Sequence, residues 1–515
     1  MRSILSSLLP IFILAFIGQT SCTEKDVPVT LSIELIDKGI AMTTSSVTDG
    51  AVEIYLISEN ETEGELLVKA LNASGLEIAR SKSIMTLQKD DAKLFTFNFD
   101  KSLDILLSKR KNKVQSNSVS VKGIIKDVKK NGDKALLKYE KRFNKNNVIV
   151  PSANQISKSI KSLDKKVKNA IDLAYTRIHK FHSLQKFKNI SYTDKLKNKL
   201  EYKYVPIESV AIYVPGSTAS YPSSVLMNAI PAIVAGVKRV IMINPGYKGK
   251  QNPAVLYAAR KCKIKEIYSI GGPSAIAAAA YGTKRIKKVN KIVGPGNAFV
   301  AAAKKEVFGD VGIEGMTAGP SEVTIICDKF SNPEWVASDL IGQAEHDNLA
   351  QCILISKDKN IVEKVKIEIF KQLKEIPRQS VAKKSLISNG ILMHISSDKK
   401  ITDVVNKIAP EHLELNVKNY KSFIPKIKNS GSICLGKYAV MAMTDYNVGS
   451  NHILPTNGSA KYSSGVSVNE FYKRISYINL SKKGIESLGP SVITLANYEG
   501  LAGHAESVKK RIRRK

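Results

Sequence analysis

Residues 210–237 have the sequence VAIYVPGSTASYPSSVLMNAIPAIVAGV, in which a short β-branched run ends at a Pro-Gly turn and an apolar helix follows. The unit recurs in the runs RVIMIN, EIYSI and KIV, each followed by a Gly or Pro turn. A second series consists of VTIIC, QCILIS, GILMHI and GSICLG. Strands that alternate with helices are typical of a parallel sheet covered by helices on both faces. We therefore predict an α/β protein with two doubly wound Rossmann-like lobes.

The segments around these lobes have different patterns of charged and apolar residues, and these changes give the predicted domain boundaries. A helical part with charged outer faces occupies residues 101–210, the first lobe residues 211–320 and the second lobe residues 321–456. Residues 457–515 form a C-terminal tail whose last helix carries His504. His179 and His182 stand three apart on a predicted helix, but no acidic or third imidazole group is near them in sequence, so we interpret both as structural.

The first hundred residues differ from the rest. Residues 1–22 have one Arg, an apolar stretch at 8–17 and then GQTSC, which is the pattern of a secretory signal peptide with a weak lipoprotein-like site at Cys22. Residues 23–100 contain short alternating runs such as AVEIYLIS and KLFTFNF, which predict a small antiparallel β-domain without a catalytic constellation. Three explanations stay open: a genuine fusion, an assembly or start-site artefact, or export.

The charge distribution supports the same division. The net charge is +33, yet residues 1–100 carry 8 Lys and Arg against 14 Asp and Glu. Lysines are scattered over many segments of the remainder and are not gathered with aromatic residues, so we do not predict nucleic-acid binding. The five cysteines have no zinc-finger or CxxC spacing. Three of them lie in apolar runs, as in a protein of a reducing compartment.

The run IAPEHLEL at residues 408–415 contains the strongest chemical signal. It places the carboxylate of Glu411 beside the imidazole of His412, directly after Pro410. Proline is favoured in the first turn of a helix, so we expect the pair at a helix entry. A carboxylate and an imidazole side by side can act as two general bases, one activating water and the other taking a proton from an alcohol.

Seven sequence blocks accompany this pair in a fixed order. They are IYVPGSTASYPSSVLMNAIPAIVAGV, GGPSAIAAAAYGT, VGPGNAFVAAAKKEV, TAGPSEV, GQAEHD, TDYNVGSNHILPT and EGLAGHAESV. In this order the set resembles the histidinol dehydrogenase family from about residue 100 to the C-terminus. The resemblance implies two Rossmann-like lobes, oxidation of L-histidinol to L-histidine with two NAD, and a homodimer in which the tail crosses to the other subunit.

The resemblance also implies a zinc site and a substrate site. The matching zinc ligands are Gln343, His346, Asp445 and His504, and imidazole with oxygen ligands suits zinc. This chain has Thr444 before the aspartate where the family pattern often has glycine. The same four residues together with Ser321, His412 and Glu499 are the expected substrate contacts. His452 lies close enough to Asp445 in sequence to line the site.

For NAD, the matching positions are Tyr213, Ser274 and Asn297. Many members have Gln where this chain has the shorter Ser274. No GxGxxG motif is present, but the turns at Gly271–Gly272 and at residues 294–296 open predicted helices whose N–H groups could receive pyrophosphate. The resemblance implies that His412 takes the hydroxyl proton and that Glu411 activates the water added to the aldehyde.

Two alternative functions remain from the sequence. One is a relative that oxidises another small alcohol, against which Glu499 and the four ligands argue. The other is an exported binding module whose β-domain is the functional part, against which the intact Glu411–His412 pair argues. Because the expected chemistry uses NAD, the cytoplasm is the favoured location, and we expect no membrane association of the catalytic part.

Overall fold

The structure is a computed structural model, which describes residues 11–16, 29–48, 51–71, 77–98, 118–216, 221–246, 250–314 and 319–512. The chain forms two compact units. One contains Met1–Gln115 and Gly319–Tyr438, and the other contains Ser116–Ala318 and Ala439–Lys515. The predicted second lobe therefore contributes residues to both units, because the segment after Tyr438 belongs with the first lobe.

The first lobe is a five-stranded sheet in which every paired strand is parallel. Its strands are β10 (Ser209–Tyr213), β11 (Arg239–Ile243), β12 (Glu266–Tyr268), β13 (Lys291–Val293) and β14 (Gly312–Ile313). They lie in the order β12-β11-β10-β13-β14. The order reverses direction between β10 and β13. Such a switch point leaves a crevice at the carboxyl ends of the strands.

Helices cover both faces of this sheet. They are α2 (Ser118–Asn144), α3 (Ala153–Lys161), α4 (Lys165–Ser183), α5 (Pro222–Ala235), α6 (Pro253–Lys261), α7 (Gly272–Tyr281) and α8 (Ala298–Glu306). Successive residues of β10 point to opposite faces: Val210 and Ile212 pack with α4, α5 and α6, whereas Ala211 and Tyr213 pack with α2, α7 and α8. The doubly wound prediction is confirmed.

The predicted helical part contains strands as well as helices. Strands β8 (Ile190–Thr193) and β9 (Lys199–Pro206) form an antiparallel sheet with β20 (Tyr472–Asn479) from the tail. The tail continues through α14 (Lys482–Tyr498) and α15 (Ala502–Ile512), which pack together. The pairing of β9 with β20 joins segments far apart in sequence, and a local charge pattern does not reveal it.

The second lobe repeats the topology of the first. Its strands are β15 (Glu322–Cys327), β16 (Gln351–Ser356), β17 (Ile391–His394), β18 (His412–Asn416) and β19 (Ser432–Leu435), and its helices are α9 (Pro333–Ala344), α10 (Lys359–Gln372), α11 (Gln379–Asn389) and α12 (Asp398–Ile408). The strands lie in the order β17-β16-β15-β18-β19, again all parallel. β15, β16 and β18 are buried along their whole lengths, as in a sheet covered on both faces.

The N-terminal segment is mainly β-structure, as predicted. One sheet has the order β2-β1-β5-β6 and the other β3-β4-β7. The strands are β1 (Ile11–Phe16), β2 (Val29–Leu31), β3 (Ile40–Thr48), β4 (Ala51–Ser58), β5 (Thr62–Leu71), β6 (Glu77–Leu87) and β7 (Ala92–Asn98). Two details differ from the prediction. β1 pairs with β5 in parallel, and the alternating run VTLSIELI at residues 29–36, whose pattern predicts extended structure, bends into helix α1 (Ile33–Asp37).

The structure gives no support to the signal-peptide interpretation. Part of the apolar stretch forms strand β1, while Cys22 lies outside the described residues. Within the described part of the chain, no helix is long and apolar enough to cross a membrane.

Candidate active site

Two of the predicted cofactor residues follow the strands that flank the switch point of the first lobe. Tyr213 is the last residue of β10; it is buried, and burial raises the pKa of its hydroxyl to about 12. Asn297 comes four residues after the end of β13 and caps α8, where its side-chain oxygen accepts the N–H of Val300 at 3.1 Å. The residue is exposed at this edge of the sheet.

The turn between β13 and α8 depends on a glycine and on a buried lysine. Gly294 has φ +104°, and a Cβ there would collide with the carbonyl oxygen of Tyr213. The Lys304 ammonium donates hydrogen bonds to the carbonyl oxygens of Gly294 and Glu314. Burial lowers the pKa of Lys304 to about 8. These contacts hold the turn against the end of β10 and so fix Asn297 relative to Tyr213.

The start of α7 differs from the expectation that it receives pyrophosphate. The N–H of Gly271 donates to the Glu140 carboxylate at 2.7 Å, and the N–H of Gly272 donates to the Tyr213 hydroxyl oxygen at 3.1 Å. Both donors are therefore already engaged by the protein. The Ser274 hydroxyl is buried and donates to the carbonyl of Gly271 at 3.1 Å, so its cofactor contact stays a prediction.

The Glu411–His412 pair lies at the amino end of a strand. The prediction of a helix entry was wrong. Helix α12 ends at Ile408, Ala409 adopts the left-handed conformation with φ 50°, and His412 begins β18. Proline is common just after a helix C-cap, which explains Pro410 equally well. Parallel pairing of β18 with β15 and β19 then decides where the pair sits.

The two side chains of the pair lie next to each other in the interior of the protein. Both side chains are buried, and Glu411 Oε1 lies 4.0 Å from His412 Nε2. The other carboxylate oxygen of Glu411 accepts the N–H of Glu322 at 2.8 Å, which fixes the carboxylate across β15. Ser321 directly precedes Glu322 and is bridged to β16 through the N–H of Gln351, which donates to its carbonyl at 2.9 Å. Ser321, Glu411 and His412 thus share the amino edge of the second sheet.

Gln343 and His346 lie at the same edge by topology. Helix α9 starts after the carboxyl end of β15 and runs back, so its C-terminal end reaches the amino edge. Gln343 is buried in the last turn of α9. His346 lies two residues after the end of α9, in a turn in which its N–H donates to the carbonyl oxygen of Gln343. Burial lowers the pKa of His346, which favours the neutral imidazole that binds a metal.

The remaining predicted site residues belong to the other compact unit. Asp445 lies in the short helix α13 (Met441–Tyr446), and burial raises the pKa of its carboxyl to about 7. The Nδ1 atom of His452 is 2.7 Å from the Asp445 carbonyl oxygen, which places His452 beside it. Glu499 and His504, at the end of α14 and in α15, are both exposed.

The donor set fits zinc in its chemistry. It offers a neutral imidazole, a buried amide oxygen, a carboxyl group that burial alone makes costly to ionise, and an exposed imidazole. Among the described residues, no group of three or more His, Cys, Asp or Glu side chains is placed to hold a metal ion. Gln343 and His346 belong to one compact unit, and Asp445 and His504 belong to the other.

Comparison with known proteins decides the family. The histidinol dehydrogenase family model matches residues 107–512. The chain belongs to the histidinol dehydrogenase family. It is 84% identical over 418 residues to a histidinol dehydrogenase of Pelagibacter ubique, with 81% of this chain and 98% of the relative covered. A histidinol dehydrogenase of Brucella suis is 43% identical over 434 residues, with 83% of this chain and 99% of the relative covered.

The fold agrees with a solved histidinol dehydrogenase. The crystal structure of the enzyme from Elizabethkingia anophelis matches with a TM-score of 0.74 at 38% identity, covering 79% of this chain and 96% of that chain. Family membership makes this chain an oxidoreductase that acts on histidinol in histidine biosynthesis. Residues 1–106 precede the part of the chain that the histidinol dehydrogenase model matches.

The sequence-based prediction missed several residues around the site. Glu140 and Lys304 support the edge of the first lobe, and Asp339 on α9 shares a side-chain hydrogen bond with Glu414 of β18 in the second. Burial raises the pKa of Asp339 to about 6. Each of these residues lies in an amphipathic or charged run that carries no recognisable motif. Only the structure shows that their side chains are buried beside the site.

Proposed function

We propose that the protein oxidises L-histidinol to L-histidine through L-histidinal, using zinc, two NAD and one water. The observation that supports this most is the buried Glu411–His412 pair, with 4.0 Å between carboxylate and imidazole, in a chain of this family. The two groups have different chemical uses. An alcohol must lose a hydroxyl proton in the first oxidation, and a water must be activated to add to the aldehyde before the second.

In this proposal His412 takes the hydroxyl proton and Glu411 activates the water. The N–H of Glu322 holds one oxygen of the Glu411 carboxylate, and the other oxygen is the one nearer His412. Neighbouring groups of this kind titrate as a pair, and the two roles are shared in part. Burial of both side chains keeps bulk water away from the aldehyde stage.

Gln343, His346, Asp445 and His504 would hold the zinc ion, and Ser321 and Glu499 would contact the substrate. Bound zinc would supply a fixed positive template that orients the amino alcohol. Tyr213 and Asn297 would contact NAD, which accepts the hydride. Tyr213 ends one strand of the switch point and Asn297 follows the other, and this position at the carboxyl ends supports the assignment.

The active form in this proposal is a homodimer with a shared active site. The tail carries an exposed apolar stripe at spacings of three and four residues, made of Leu488, Val492, Leu495, Tyr498 and Leu501. Tyr498 is 92% exposed in the single chain, beside Glu499. A second subunit that covers this stripe would bring Glu499 and His504 to its site. NAD chemistry favours the cytoplasm as the place of work, while the role of residues 1–106 stays open.

The experiment is a stoichiometric assay of the zinc-loaded protein with L-histidinol and NAD. We expect about two NADH per histidinol, loss of activity on chelation and recovery with zinc. Folded, zinc-containing protein that forms no NADH would contradict the assignment. If instead another small alcohol were oxidised with one NADH each, the scaffold would belong to a different dehydrogenase.

A further inference from the structure

The first turn of α7 is held by two side chains that the proposed reaction does not use as acids or bases. Glu140, near the end of α2, accepts the N–H of Gly271 at 2.7 Å. Tyr213, at the end of β10, accepts the N–H of Gly272 at 3.1 Å. The two contacts are adjacent along the chain, so the position of the turn depends on both.

Glu140 is built into the fold, far from the surface. Its side chain is 1% exposed, and its second oxygen accepts the side-chain N–H of Asn144 at 2.6 Å. Helix α2 packs on α7 in the core formed with Tyr213, so the carboxylate cannot leave the turn without repacking. A Cβ on Gly271 would lie 2.7 Å from the Cβ of Pro245, which shows how little room this turn has.

The hydrogen bond from Gly272 determines whether the Tyr213 hydroxyl can donate or accept a further hydrogen bond. Because the Gly272 N–H donates to the hydroxyl oxygen, that oxygen is an acceptor on this side. The hydroxyl hydrogen must then point to another group. Tyr213 ends the central strand of the lobe beside the crevice of the switch point, so this crevice is where a donor is useful.

We infer that Glu140 is a positioning residue for the dinucleotide, which holds the Gly271–Gly272 turn so that the Tyr213 hydroxyl donates to the cofactor. The inference rests on the proposed use of NAD. Its consequence is that the phosphates of the cofactor do not bind at the start of α7, where the protein's own carboxylate already lies. They bind instead near the turn at residues 294–297.

The test is a double-mutant cycle on the zinc-loaded protein, read by NADH binding through fluorescence and by the KM for NAD and for histidinol. We expect Glu140→Ala and Tyr213→Phe each to weaken NADH binding about tenfold, and the double variant to be no more than about twofold weaker than either, because Glu140 acts through Tyr213. Glu140→Gln, which keeps an oxygen for Gly271, should stay within about threefold of the wild type. The KM for histidinol and the zinc content should not change.

The matched control is Asp127→Ala, which removes an acid on the same helix whose carboxylate accepts hydrogen bonds from Asn131, Lys138 and Tyr139. It should leave NADH affinity unchanged. If Glu140→Ala fails to fold, Glu140→Asp, shorter by one methylene, replaces it with the same expectation. Unchanged NADH affinity in the Glu140 variant, or penalties that multiply in the double variant, would overturn the inference.

Failure of the proposed function gives a different result. Wild-type protein that binds NADH, responds to the Glu140 variants and does not oxidise histidinol would keep the inference and reject the substrate. Wild-type protein that does not bind NADH would reject both.

Discussion

The backbone N–H of Glu322 donates a 2.8 Å hydrogen bond to the carboxylate of Glu411, joining two neighbouring parallel strands at their amino ends. The bond leaves the other oxygen of Glu411 facing the imidazole of His412 at 4.0 Å. The second lobe therefore places its candidate chemistry at the edge opposite to the one that the first lobe offers for a nucleotide. The two lobes have the same strand order but carry their predicted site residues at different edges.

Glu411→Gln tests the proposal that Glu411 activates water while His412 takes the alcohol proton. The amide oxygen can still accept the Glu322 N–H, so the fold should be kept while the base is lost. We expect the first oxidation to persist and the aldehyde stage to stall, with steady-state turnover lower by roughly 10²- to 10⁴-fold. Rapid mixing with histidinol should give a burst of about one NADH per site. Two NADH per histidinol at the wild-type rate would contradict the role given to Glu411.

His346→Asn tests the metal assignment by a readout other than activity. We expect zinc content to fall well below one ion per chain, since the neutral imidazole of His346 is one of the proposed ligands. Elemental analysis after dialysis against a weak chelator measures this. His394→Asn is the control, because His394 is an exposed histidine of the same unit whose Nε2 lies 3.1 Å from the carbonyl oxygen of Lys357. Equal zinc in the two variants would remove His346 from the ligand set.

Gly294→Ala tests the close approach of the cofactor turn to β10. Both Gly294 and Gly309 have φ above 100°, but a Cβ on Gly309 meets nothing within 4 Å, whereas one on Gly294 collides with the Tyr213 carbonyl. Gly309→Ala should cost about 1 kcal/mol from backbone conformation alone. Gly294→Ala should cost roughly 3 kcal/mol in all and weaken NADH binding. Denaturant unfolding of both variants gives the comparison, and equal losses would show that the turn can move.

Glu140→Gln should change how stability depends on pH. Burial raises the pKa of Glu140 from 4.5 to about 7 in the folded protein, so the folded state holds a proton that the unfolded state releases. This favours folding below pH 4.5, and the advantage is lost as the pH rises through 7. Relative to Glu140→Gln, the wild type should therefore lose about 3 kcal/mol between pH 4.5 and pH 8.

Urea unfolding of both proteins at several pH values measures this difference. Glu486→Gln, at an exposed position on α14, controls for the general effect of removing one acid. A constant difference between wild type and Glu140→Gln across the range would mean that Glu140 is not a buried acid of raised pKa.

Leu495→Asp tests the shared-site dimer. A charge in the middle of the exposed apolar stripe should weaken subunit association, and activity should fall with it if Glu499 and His504 serve the other subunit. Sedimentation equilibrium gives the mass, and complementation by mixing with Glu411→Gln gives the exchange of sites. Thr494→Asp, the adjacent exposed position, is the control. A Leu495→Asp monomer with full activity would refute the shared site.

The sequence by itself determined the two lobes and the family. Alternation along β10 directs Val210 and Ile212 to one core and Ala211 and Tyr213 to the other. This two-residue period can be recognised in the sequence because it involves residues that are adjacent in the chain. The ordered blocks identified the family for the same reason: each is a short run whose residues are adjacent in the chain.

Only the tertiary structure decided at which edge of each sheet the predicted site residues lie. Pro410 is compatible with the start of a helix and with the end of one. Pairing of His412 with Val323, which is 89 residues away in sequence, shows that Pro410 follows a helix and precedes a strand. Glu140 meets Gly271 across 131 residues. A buried carboxyl group is defined by what surrounds it in space, and contacts over such distances leave no pattern in a single sequence.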